Sequence, residues 1–100
     1  MAARVEYKAA AEADIVDIFR DYQRQRDGLG GDFLDELGRV EGHLQTNPSL
    51  YQRVDGDIRR AVLRRFPYGL FYVVDDERVN VLACLHLHRD PRSRDDLLAR

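Results

Sequence analysis

Phe66-Pro67-Tyr68-Gly69-Leu70-Phe71-Tyr72-Val73-Val74-Asp75-Asp76-Glu77 is the stretch that decides the fold. Leu70 to Val74 is apolar without interruption, which suits a central strand covered on both faces. Proline fixes φ and glycine accepts positive φ, so Phe66-Pro67-Tyr68-Gly69 marks a turn before that strand. Asp75-Asp76-Glu77 supplies a polar hairpin loop after it. Outward from these turns lie two further β-rich segments, Ile58 to Arg65 and Val79 to Leu85. Connections this short make the three strands an antiparallel meander.

Towards the N-terminus the period changes from two to 3.6. Arg4-Val5-Glu6-Tyr7-Lys8 alternates like a strand, with Val5 and Tyr7 on one face. From about Ala9 the apolar residues Ile15, Ile18, Phe19 and Tyr22 form one helical stripe, and Asp14, Asp17 and Asp21 lie off it. This helix is expected to stop near Asp27-Gly28. Gly30-Gly31-Asp32 opens a second helix with the stripe Phe33, Leu37, Val40 and Leu44, closed by Asn47-Pro48. Two amphipathic helices across a short glycine turn predict an antiparallel hairpin. Residues 48–57 read as a connector, and the charged tail from His88 ends in a short helix or stays loose. The predicted order is β-α-α-β-β-β, an α+β fold with a helical hairpin packed on one face of an antiparallel sheet. The middle strand has no polar side, so the other face is expected to expose an apolar patch that a partner segment would cover.

Size and charge narrow the classes. One hundred residues make a single domain, 1–100, with a thin core. No window reaches the length needed to cross a bilayer, and Met1 to Tyr7 lacks the pattern of a signal peptide. The single cysteine, Cys84, forms no internal disulfide and sits in a β pattern where a buried, inert thiol is expected; the expected location is the cytoplasm. Net charge is −2, which excludes an overall field drawing the chain onto nucleic acid. All basic residues but Lys8 are arginine, a group suited to recognition and poorly suited to proton transfer.

Several separated elements resemble the ParE branch of the RelE/ParE toxin superfamily. They are Ala13-Asp14-Ile15, Phe33-Leu34-Asp35-Glu36-Leu37, Asn47-Pro48, Ile58-Arg59-Arg60, Arg65-Phe66-Pro67-Tyr68 with Phe71-Tyr72, and Leu85-His86 followed by Arg89-Asp90-Pro91. The resemblance covers nearly the whole chain. It implies a bacterial, plasmid-stabilising type II toxin–antitoxin module. The toxin would be silenced by a ParD-like antitoxin whose C-terminal segment wraps it, and would meet operator DNA only through that antitoxin. ParE-like members inhibit DNA gyrase, whereas RelE-like members cleave mRNA on the ribosome; fold does not choose between them. A toxin fold kept only as a non-toxic, antitoxin-binding operon regulator is a third reading.

The residues favour the gyrase branch. The resemblance implies basic strand residues, often lysines, and a tyrosine or histidine near the C-terminus for RNA cleavage. Here the tail has no tyrosine and the sheet no lysine. If the chain were a nuclease, its catalytic groups would be His86 and His88, two apart on the last strand, with Arg89 and Arg64. The structural alternative has His86 closing the sheet by a hydrogen bond and His88 solvated. His43 reads as a surface residue. A metal site is not expected, because a third ligand to the two histidines would have to be Asp90 or Cys84, and no cofactor is implied. Arg60, Arg64, Arg89, Arg92 and Arg94 are expected on the open side of the sheet, facing an acidic antitoxin segment or an acidic patch on the target. Arg59 and Arg65, on the opposite strand face, must reach an edge or an acid.

Overall fold

The computed structural model describes residues 2–89 and 92–100. Asp90 and Pro91, part of the motif pattern and in Asp90's case a candidate metal ligand, lie outside the described residues, as does Met1. The chain forms β1 (Arg4–Tyr7), α1 (Ala9–Gln25), α2 (Leu29–Thr46), β2 (Arg53–Asp55), β3 (Ile58–Val62), β4 (Tyr68–Asp75), β5 (Arg78–His86) and α3 (Arg94–Leu98). The sheet order is β1-β5-β4-β3-β2, with β1 parallel to β5 and the other neighbours antiparallel. The expected helical hairpin on a largely antiparallel sheet is therefore present.

Gly28 takes φ 90° and lets the chain reverse between the helices. Gly30 lies inside α2 rather than in the turn, because the hairpin needs a residue there with no side chain. A Cβ on Gly30 would come within 2.5 Å of the Phe19 ring of α1. The two apolar stripes meet the sheet as their spacing requires. Ile18, Phe33, Leu37, Val40 and Leu44 are buried with Ala61, Leu63, Leu70, Tyr72, Val79 and Val81 in one core. Tyr72 keeps its hydroxyl paired by donating to the Pro48 carbonyl at 2.8 Å.

The strand limits differ from those expected. Residues 53–55 add an edge strand in the predicted connector; all three are exposed, so no apolar alternation marks it. β3 stops at Val62, and Arg65 has φ 69°, which takes the chain out of extended geometry and into the turn. β5 carries a bulge, since Phe71 faces Ala83 while Tyr72 faces Val81, leaving Leu82 extra. The bulge shifts the alternation, so Val79, Val81 and Cys84 all reach the hairpin-side core.

The open face is not left bare. Leu97 of α3 packs there with Ile58, Leu82, Ala83 and Leu85, beside Phe71 and Val73. The expected apolar patch is capped at its centre by the chain's own last helix. The period-based reading missed this because α3 is only five residues long and brings one buried side chain.

Candidate partner-binding surface

β5 ends at His86, and the groups singled out from the sequence fan out from that point in different directions. His86 and His88 do lie together, with ring centroids 6.0 Å apart. His88 sits in the turn beyond the strand, where its backbone N–H donates to His86 Nδ1 at 3.1 Å. A neutral His86 accepting there carries its proton on Nε2. The His86 ring also meets Tyr68 edge-on at 5.2 Å. His86 thus ties the strand end to the following turn, a local bond and not one that closes the sheet.

The arginines divide into three sets. Arg89 lines a cleft of about 440 Å³ on the hairpin side, with Arg24, Tyr22, Tyr68 and His86. Arg64 lies beyond the end of β3, so the period-two rule that would have put it beside Arg60 no longer applies. Its backbone N–H donates to the Glu36 carboxylate on α2, which also takes Arg39 at 2.7 and 2.9 Å. Arg60, by contrast, stays in the strand register opposite Phe71 and faces the open side. Arg92 lines the same cleft as Arg60, and Arg94 packs against Gly56 in the β2–β3 turn. Of the five arginines expected on the open side, Arg60, Arg92 and Arg94 are there, and Arg64 and Arg89 are not.

Arg59 stays in β3, whereas Arg65, expected on the same strand face, lies in the turn beyond it. Arg59 donates to the Tyr51 carbonyl at 2.7 Å and to the Ser49 carbonyl at 3.3 Å. Arg65 comes within 3.7 Å of Asp32. His43 is partly covered, with Nδ1 3.3 Å from the Tyr51 hydroxyl. Cys84 is buried, and burial with the nearby Asp14 carboxylate pushes its thiol up to about 12. Such a thiol is protonated at neutral pH and unsuited to nucleophilic or ligand chemistry. Among the described residues no three His, Cys, Asp or Glu side chains converge on a metal-sized site.

Sequence reasoning passed over two polar junctions. One is Glu36, whose carboxyl is held below its ordinary value of 4.5, chiefly by the Arg39 hydrogen bonds and further by the Arg64 N–H. A carboxyl lowered in the folded state stabilises that state above its ordinary range, and the contribution is lost as pH falls through the folded value. Unfolding free energy measured in urea at about pH 7 and about pH 3 is expected to fall less in Glu36→Gln than in the parent chain. Equal losses would show that this junction does not couple to folding. The other junction joins Asp14 to Arg100 and Cys84. Nothing in the sequence pairs residues 86 positions apart.

Residues 5–91 match the family described as ParE toxin of type II toxin-antitoxin system, parDE. The chain belongs to this ParE toxin family. Among solved structures, a chain from the "Chromosomal ParDE TA system from P. aeruginosa" shares the fold with a TM-score of 0.75 at 15 % identity, covering 87 % of this chain and 98 % of that one. Comparison with curated proteins finds no match. The ParE match ends at residue 91, so Arg92 and Leu97, which line the open-side cleft, come after it. In this ParE-family chain the cleft is built jointly by the family domain and the segment that follows it.

Proposed function

We propose that this ParE-family chain is the toxin of a toxin–antitoxin pair that binds and inhibits DNA gyrase without chemistry of its own. A ParD-like antitoxin silences it, its C-terminal segment wrapping the toxin, and operator DNA is reached only through that antitoxin. The ParE family match over residues 5–91 carries this reading. The nuclease alternative has weaker support, because Arg64 lies in the turn beyond β3 with its backbone N–H on Glu36, and His86 Nδ1 accepts from the His88 backbone N–H. No helix among the described residues is long and apolar enough to cross a membrane.

A supercoiling assay with purified gyrase and relaxed plasmid tests the proposal. The free chain is expected to block supercoiling and to accumulate cleaved plasmid, and to leave a cell-free translation reaction unchanged. The double variant His86→Ala, His88→Ala, once its circular dichroism matches the parent, should inhibit to within about twofold, because neither imidazole takes part in a chemical step. Normal supercoiling together with cleaved messages and loss of toxicity in the double variant would establish the RelE-like nuclease instead. Normal growth and normal supercoiling would point to an operon regulator.

A further inference from the structure

The outer face of the helical hairpin, turned away from the sheet, keeps large apolar side chains open to solvent. Val16 on α1 and Leu34 on α2 are each 43 % exposed. Phe19 lies against Gly30, and Glu12, Ile15 and Val16 line a groove of about 400 Å³ with Leu37. That antiparallel register sets Leu34 alongside Val16. Towards the C-terminal end of α1, Phe19, Arg20, Gln23 and Arg24 line a second groove of about 280 Å³. Gly38, one turn past Leu34, opens outward, since a Cβ there would meet nothing within 4 Å.

Charge on α1 is arranged about Val16. Glu12 lies four residues before it and Arg20 four residues after, so the three share one helix face. All three are exposed, and the exposed Ala9 and Ala13 extend the same face with small side chains. Among the described residues neither Glu12 nor Arg20 forms an ion pair. Within one chain their positions are about 12 Å apart along the helix, too far to meet. In two antiparallel copies of α1 crossing at Val16, Glu12 of each falls beside Arg20 of the other.

We propose that this face pairs with a second copy of the chain, α1 against α1 about a two-fold axis at Val16. Under that symmetry every contact occurs twice, so Val16 meets its own equivalent and a Glu12–Arg20 pair forms on either side of it. Opposed helix dipoles add to the attraction. The charge placement selects a second copy over a foreign helix, which would have to carry the same acid–apolar–cation spacing in reverse. α1 has 17 residues, and with α2 beside it the face measures about 25 by 20 Å. A face of that size falls below the standard interface, so the pairing is reversible, with a Kd of about 10–100 µM. The hairpin lies on the side of the sheet away from Leu97, so the open-side cleft stays uncovered in both copies.

Sedimentation equilibrium of the free chain from about 1 µM to about 1 mM tests the pairing, and the average mass is expected to climb from one chain towards two. Val16 is exposed, so Val16→Asp should fold, and it should weaken association by about tenfold or more because it sets two carboxylates at the two-fold axis. Glu12→Arg and Arg20→Glu should each do the same, since each sets like charges against one another twice. Mixed one to one, these two charge variants should associate about as tightly as the parent, because both contacts become acid–cation pairs again. Mixing would not repair a folding defect in either variant. A parent chain still monomeric at about 1 mM, unchanged association in Val16→Asp, or a mixture no tighter than its components would each overturn the proposal. If the parent never pairs and Val16→Asp loses gyrase inhibition, the face belongs to the target and the pairing falls.

Discussion

Asp14→Ala is expected to lower the unfolding free energy by about 3 kcal/mol, because it leaves a largely buried guanidinium without its counter-charge. Arg100 Nη2 lies 2.7 Å from Asp14 Oδ1, and the Arg100 side chain is only 12 % exposed. The other carboxylate oxygen does a second task. β1 makes its last bond to β5 from the Lys8 N–H to the Val81 carbonyl, at 3.0 Å. Beyond that point the β5 edge has no strand beside it, and the Cys84 N–H donates to Asp14 Oδ2 at 3.1 Å instead. Alanine removes both interactions at once. Asp14→Asn keeps an acceptor for Cys84 and is expected to cost less.

Urea unfolding followed by circular dichroism measures the loss, and a double-mutant cycle with Arg100→Ala separates the ion pair from the sheet-edge bond. Arg100→Ala alone should cost less than Asp14→Ala, since it leaves Asp14 bonded to Cys84. A cost below about 1 kcal/mol for Asp14→Ala would place the pair with ordinary surface ion pairs. The consequence reaches the open-side cleft. Arg100 follows α3 directly, so releasing it loosens the segment that seats Leu97 on the sheet. Faster amide exchange at Leu97 and Leu98 is expected in Asp14→Ala.

Phe33→Ala should have the largest effect of any single change, about 4 kcal/mol, from lost burial plus the cavity left behind. Phe33 is fully buried, with ring centroids 5.7 Å from Tyr22, 5.6 Å from Phe66 and 6.1 Å from Tyr68. Those partners come from α1, from the loop before β4 and from the first residue of β4, so one ring joins the helical hairpin to the start of that strand. A domain of this size commonly has about 5–15 kcal/mol of total stability, so the variant is left near the edge of folding. Phe33→Leu, which keeps most of the volume, is expected to cost less than half as much. The urea midpoint of the two variants checks this. Similar losses in both would mean that aromatic geometry, not filled volume, holds the junction.

The helical hairpin and the three-strand meander were legible because their signals are local. The stripe from Phe33 to Leu44 and the apolar run from Leu70 to Val74 specify their own periods and their own buried faces. A turn before β4 and one after it were legible from proline, glycine and acid, although Tyr68, Gly69 and Asp75 belong to β4 itself. β2 was not, and α3 was read only as one of two alternatives for the tail, for a shared reason: each is too short to show a period, and each is stabilised by what it lies against. The site was legible in part. Arg60 kept its strand register, whereas Arg64 was read by a rule that holds only while the chain stays extended, and Arg65 at φ 69° ends that extension.

What the sequence determined by itself was the set of amphipathic elements, their order and the residues that had to be buried, since burial of apolar surface is written in spacing. Only tertiary structure decided which strand β1 would join, that a bulge at Leu82 would turn Cys84 inward, and that Asp14 would meet Arg100. It also decided that Leu97 would close the open face and leave a cleft between Arg60 and Arg92. These are contacts between residues far apart in the chain. Their free energy depends on where the folded backbone brings them, and no local pattern records that.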